Sequence, residues 1–190
     1  MALTYDGLVS QSEYLKIEEA AREKSEYVAG RVFAMSGASA AHNRIVMNLV
    51  GKLLPVAQQS GCDVFASDMK LRIEALRTFY YPDLIVSCEH MDDLAYFATA
   101  PCLVVEVLSP STAAVDRREK LQAYLSISSL REYLIVHQRT RLVELYRKND
   151  ESEWDMHEFD GSASFTIVSL PGGAFKLNVE DIYRGCTLSA

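Results

Sequence analysis

Two apolar runs do most to fix what this chain can become. The stretches "YYPDLIVSCE" at residues 80–89 and "CLVVEVLSPS" at residues 102–111 are nearly continuous in Leu, Ile and Val. That pattern belongs to strands covered on both faces, not to strands with one wet side. We read strands over Tyr81–Cys88 and Cys102–Leu108, and a third over Val64–Glu74. Such strands need helices to cover them. Residues 40–59 step Ile45, Leu49 and Leu53 at four-residue intervals, with Val46, Val50 and Leu54 beside them, which predicts a core-facing helix. "SPSTAAVDRREKLQAYLSI" predicts a second helix, capped by Ser111 or Thr112 and reaching about Ile127. "EYLIVHQ" follows as a strand, with "RLVELYRK" as its hairpin partner. The expected fold is α/β: a mixed central β-sheet flanked by helices, in the core order α-β-β-β-α-β. Peripheral elements are a hairpin in "EYVAGRVFAM", a short surface helix in "LVSQSEYLKIEEAAREKS" with Leu15 and Ala20 as its apolar positions and Ser10 or Ser12 as cap, and two strands and a helical turn near the end.

With 190 residues, 49% hydrophobic and 24% charged, the chain suits one domain spanning residues 1–190. No apolar run approaches the roughly 20 residues that cross a bilayer, and the N-terminus has no basic segment leading into an apolar one. A cytoplasmic protein is expected. Cys62, Cys88, Cys102 and Cys186 are widely spaced and read as reduced structural thiols. His42, His90, His137 and His157 are isolated, which argues against a transition-metal site built on histidine. A net charge of -7 argues against a protein that coats nucleic acid non-specifically. It still permits a carboxylate-rich active site whose charge a metal offsets.

Each apolar run carries one acid. Asp83 opens the first strand and Glu106 lies near the end of the second, so antiparallel pairing of the two would bring the carboxylates together. Two such groups at the rim of a buried sheet repel and lose hydration. A hard divalent cation such as Mg2+, which needs few carboxylates and keeps its waters, is the simplest resolution. In "DRREKLQAY", Asp116, Lys120 and Tyr124 recur every four residues and share a helix face. Lys120 is placed to orient or deprotonate an attacking water and to stabilise charge on a phosphoryl transition state. The plainer readings are a Pro-Asp turn at Pro82–Asp83, a solvent-facing edge position for Glu106 and a surface ion pair between Asp116 and Lys120.

With "YPD", "VVEVLSPST", "DRREKLQAY" and "EYLIV" the chain resembles the Uma-type restriction endonuclease family of the PD-(D/E)XK nuclease superfamily. The likeness extends through "SEYVAGRVFAMSGASAAHNRIVMNL", "SDMKLRI" and "LPGGAFKLNVEDIY". The resemblance implies a restriction endonuclease-like fold and a phosphodiester hydrolase dependent on Mg2+, with Mn2+ as a substitute and DNA as the expected substrate. It places the first motif on Pro82 and Asp83 and the acid of the second on Glu106, with the Val107 carbonyl also facing the metal. The lysine expected two residues after the acid is replaced by Leu108, and the resemblance moves that role to Lys120. His42 matches a histidine frequent in the family and would either contact a phosphate or serve as a capping or packing residue. Asp68 and Lys70 alternate to one strand face and are candidates for the same cleft. A homodimer using residues 154–168 is expected. The competing reading, prompted by Leu108 and the acidic charge, is a nuclease fold that has lost turnover and serves in binding or assembly.

Overall fold

The computed structural model of the protein describes residues 2–3, 7–108 and 115–188, the side chains of 2–3 and 115–117 excepted. Ser111 and Thr112, and the side chain of Asp116, therefore lie outside the described residues. In chain order the elements are β1 (Ala2–Leu3), α1 (Gln11–Ala20), β2 (Ser25–Val28), β3 (Arg31–Ala34), α2 (Ala40–Gln59), β4 (Asp63–Ala66), β5 (Lys70–Ile73), β6 (Thr78–Tyr80), β7 (Leu84–Ser87), β8 (Phe97–Ala98) and β9 (Leu103–Leu108). They continue as α3 (Val115–Leu125), β10 (Glu132–His137), β11 (Leu142–Lys148), β12 (Trp154–Asp160), β13 (Ser164–Ile167), β14 (Phe175–Asn178) and α4 (Val179–Ile182).

The central sheet has the order β12-β11-β10-β9-β7-β4. β9 and β10 run parallel and the other neighbours antiparallel, so the sheet is mixed. Parallel strands need a crossover, and α3 supplies it between β9 and β10. The run α2-β4-β7-β9-α3-β10 is the expected α-β-β-β-α-β core. A second sheet, β1-β3-β2-β6-β5-β8, contains the expected β2–β3 hairpin, and β13 pairs with β14 separately. The strand expected over Val64–Glu74 is two strands in two different sheets. Ser67 adopts a left-handed φ of 58° and Asp68 N–H closes a tight turn onto the Ala66 carbonyl at 2.6 Å, so the chain leaves the central sheet there.

The ends of the helices follow local chemistry. Ser10, not Ser12, caps α1, in a capping box with Glu13, and the helix buries Tyr14 and Glu18 rather than Leu15 and Ala20. On α2, Ser39 accepts from the His42 amide at 3.1 Å, and the predicted stripe of Ile45, Val46, Leu49 and Leu53 is buried. That stripe packs on one face of the central sheet with Leu84, Val86, Val105 and Val107. The other face, with Ile85, Val104, Tyr133 and Ile135, is covered by Ala123, Tyr124 and Ile127 of α3 and by Leu71, Ile73 and Tyr80 of the second sheet. Among the described residues no helix is long and apolar enough to cross a membrane.

The cysteine reading needs correction: Cys62 and Cys88 form a disulfide. The register explains it, because pairing of Asp63 with Ser87 puts the preceding and following residues, Cys62 and Cys88, opposite one another. Their separation of 26 in the sequence hides this. Cys102 and Cys186 are free.

The β13–β14 unit is tied to the central sheet by one buried acid. Glu132, with no exposed surface, accepts from Arg147 Nε at 2.8 Å and from the amides of Val168 and Ser169, each at 2.9 Å. Glu132→Ala leaves Arg147 Nε and two amides without their acceptor and the guanidinium without its carboxylate, only the Thr166 carbonyl still accepting from it, and should lower the unfolding free energy by about 3–5 kcal/mol, read from urea unfolding curves.

Candidate active site

The register of β7 and β9 brings the two acids together. Leu84 lies opposite Val105, Ile85 opposite Val104 and Val86 opposite Leu103, so one residue earlier Asp83 faces Glu106. Val105 and Val107 pack toward α2, and Glu106 between them projects to the face that α3 covers. Asp83 sits at the rim, held from two sides. The Val107 amide donates to its Oδ2 at 2.7 Å, and His42 Nε2, from the first turn of α2, lies 2.8 Å from its Oδ1. His42 is thus the carboxylate's partner, while its own amide is the group that Ser39 caps.

Glu106 is fixed from α3. The Tyr124 hydroxyl donates to its Oε1 at 2.7 Å, and Lys120 Nζ lies 3.3 Å from the same oxygen. The four-residue step between Lys120 and Tyr124 delivers both to one carboxylate, as the helical spacing predicts. Lys120 has a second anionic partner that sequence reasoning missed. Glu26 of β2 is 2% exposed, and its Oε1 sits 2.8 Å from Lys120 Nζ. Glu26 also accepts from the Tyr81 amide at 3.3 Å, two residues before Asp83. The one signal in the sequence is an acid in a β-prone run, "SEYV", which a surface hairpin explains equally well.

The charges respond to this burial. Desolvation pushes Glu106 up to about 7, against the pull of Lys120 and with the repulsion of Asp83 and Glu26. Burial alone would favour a neutral Lys120, but Glu106 and Glu26 more than offset it and hold the ammonium well above the ordinary lysine range. Tyr124 is likewise driven up by burial and by the carboxylates of Glu106 and Glu26. For His42, burial lowers the pKa and the Asp83 carboxylate more than restores it, leaving it raised. Lys120 is therefore a fixed cation and a poor proton acceptor.

Asp68 and Lys70 lie beside this centre rather than in it. Asp68 is exposed ahead of β5 and pairs with Lys24. Lys70 Nζ lies 5.2 Å over the Tyr81 ring, and the Tyr81 hydroxyl donates to the buried Glu18 at 2.8 Å. Among the described residues no cluster of three or more His, Cys, Asp or Glu side chains is shaped to hold a metal ion. Asp83 and Glu106 nonetheless fit a hard cation. They face each other across β7 and β9, and the raised Glu106, pushed up first by burial and further by the Asp83 and Glu26 carboxylates, is a charge cost that a divalent ion would relieve.

A model of the Uma2 family, described as "Putative restriction endonuclease", matches residues 11–180. The chain belongs to the Uma2 family. Membership bears out the resemblance carried by "YPD" and "VVEVLSPST". Two proteins of Synechocystis sp. strain PCC 6803 are similar along most of their length. The first, slr1290, is 38% identical over 93% of this chain and 92% of its own. The second, sll1609, is 37% identical over 85% of this chain and 93% of its own. A crystal structure from Anabaena variabilis ATCC 29413, described as "a putative nuclease belonging to DUF820", superposes with a TM-score of 0.74 at 19% identity, covering 92% of this chain and 97% of that one. At that identity the likeness speaks for the fold, which is the restriction endonuclease-like one.

Replacing Lys120 with Met in this Uma2 protein leaves Glu26 and Glu106 buried without their cation. Urea unfolding of the metal-free protein should show a loss of about 3–5 kcal/mol. Adding Glu26→Gln should recover part of that loss, because the two positions are coupled. Strict additivity of the two substitutions would show that they do not act together.

Proposed function

We propose that this protein is a Mg2+-dependent phosphodiester hydrolase that cuts DNA. The observation that carries the reading is the facing pair Asp83 and Glu106 with the Lys120 ammonium 3.3 Å from Glu106 Oε1. The description of the family supports the same activity. Asp83 and Glu106, with the Val107 carbonyl, would hold Mg2+, and Mn2+ would substitute. Such an ion, when bound, polarises the phosphoryl oxygen and acidifies its water.

The chain's own residues do the rest. His42 and the Val107 amide hold the Asp83 carboxylate at the rim, and Tyr124 holds Glu106. Lys120, kept charged by Glu106 and Glu26, donates toward the attacking water and neutralises charge as it builds on the phosphoryl oxygens. It orients the water rather than removing its proton. An acidic protein of net charge -7 needs local cations to meet a polyanion. We take Arg44, which lines an open groove at the start of α2, and Lys70, which lies over the Tyr81 ring, as the candidate cations for that contact. We place the protein in solution as a homodimer, with β12 and the segment to Val168 as the contact, so that two sites address the two strands of a duplex.

Purified protein incubated with Mg2+ or Mn2+ and single- or double-stranded DNA should cleave. Asp83→Asn and Glu106→Gln should abolish cleavage, as should chelation of the metal, and Lys120→Met should lower it about 10²–10³-fold. Equal cleavage by wild type and both carboxylate variants would overturn the assignment. No cleavage by any of them, with no Mg2+ binding by calorimetry, would leave a nuclease fold used for binding or assembly.

A further inference from the structure

Three of the four cysteines meet at the end of the central sheet opposite the carboxylates. Cys62 directly precedes β4, Cys88 directly follows β7 and Cys102 directly precedes β9. Cys62 and Cys88 are bonded, and the free Cys102 Sγ lies 3.4 Å from Cys88 Sγ. Cys102 is fixed there by its place in the sheet: its amide donates to the Val86 carbonyl at 2.9 Å, and its thiol to the same oxygen at 3.4 Å. A free thiol against a disulfide sulfur is the arrangement from which thiol–disulfide exchange proceeds.

We propose that Cys88 is the pivot of an exchangeable disulfide, which Cys102 moves from the edge pair β4–β7 to the pair β7–β9. The Cys102 thiol loses its proton to solvent, and its sulfur attacks Cys88 Sγ. The Cys62–Cys88 bond breaks as the Cys88–Cys102 bond forms. Cys62 leaves as a thiolate and takes up a proton, so no external oxidant or reductant is consumed. Burial pushes the Cys102 thiol up to about 11, with the Glu132 carboxylate adding to it, so the attacking thiolate is scarce at neutral pH and the exchange is slow. The consequence is specific to this topology. The first linkage ties down an edge strand, whereas the second staples together the two strands whose far ends carry Asp83 and Glu106. This inference stands whether or not the carboxylates support hydrolysis.

The test is irreversible alkylation of the non-reduced wild-type protein with iodoacetamide at pH 9, followed by digestion and mass spectrometric mapping of linked and labelled peptides. Alkylation traps any Cys62 that exchange releases. Cys186, whose Sγ lies against the Ala41 carbonyl at the start of α2, reports the labelling of an uninvolved thiol. The expected result is Cys62 labelled in molecules that carry a Cys88–Cys102 link, and no label on Cys62 in the Cys102→Ala variant. Persistence of the Cys62–Cys88 link while Cys102 becomes labelled would overturn the proposal. A second arm treats Cys62→Ala with oxidised glutathione, and a Cys88–Cys102 link is expected. Glutathione left on either cysteine with no link between them would overturn it independently, since that arm needs no disulfide in the starting protein.

Discussion

One ammonium shared by two buried carboxylates joins the parts of this molecule that matter. Glu26 comes from the second sheet, Glu106 from the central sheet and Lys120 from the crossover helix α3, and the three meet within 2.8 and 3.3 Å contacts. A buried ion cluster of this kind contributes little net stability, because desolvation consumes most of the Coulombic gain, and apolar side chains of the same volume would pack as well. Its value lies in where it puts charge. On the proposed hydrolase reading, the carboxylates of Glu26, Glu106 and Asp83, set around the one lysine and His42, are the groups whose repulsion a divalent cation would offset.

The backbone positions the rest. Asp83 is held by a main-chain amide of the neighbouring strand and by a histidine on α2, while Glu106 is held by a tyrosine on α3. The helices on opposite faces of the sheet thus each grip one of the two acids. Burial raises the proton affinity of Glu106, and the hydrogen bond from Tyr124, itself packed edge-on against Tyr80 and Tyr133, works in the opposite direction.

Much of this was legible in the chain. An acid inside "CLVVEVL" and another at the head of "DLIVS" stand out against apolar neighbours, and antiparallel pairing of those runs is enough to bring Asp83 opposite Glu106. Lys120 and Tyr124 announce a shared face through their spacing. Glu26 does not, because its strand is short and alternates like any hairpin, and its partner lies 94 residues away. The split of the stretch from Val64 to Glu74 hinges on one left-handed serine, a residue type with no strong preference for that conformation. The disulfide was hidden for a related reason: only the register of β4 against β7 makes Cys62 and Cys88 neighbours.

The contact between His42 and Asp83 gives α2 a fixed phase. The helix is seated on the sheet by Ile45, Val46, Leu49 and Leu53, and the histidine reaches the rim only because it stands three residues ahead of that buried stripe. Each residue turns an α-helix by about 100°. Inserting one residue between His42 and Ile45 would therefore swing the ring off the carboxylate while leaving the packed face intact. Point changes along the outer side, where Met47 is exposed, carry no such cost. In this part of the chain, spacing is held more tightly than composition.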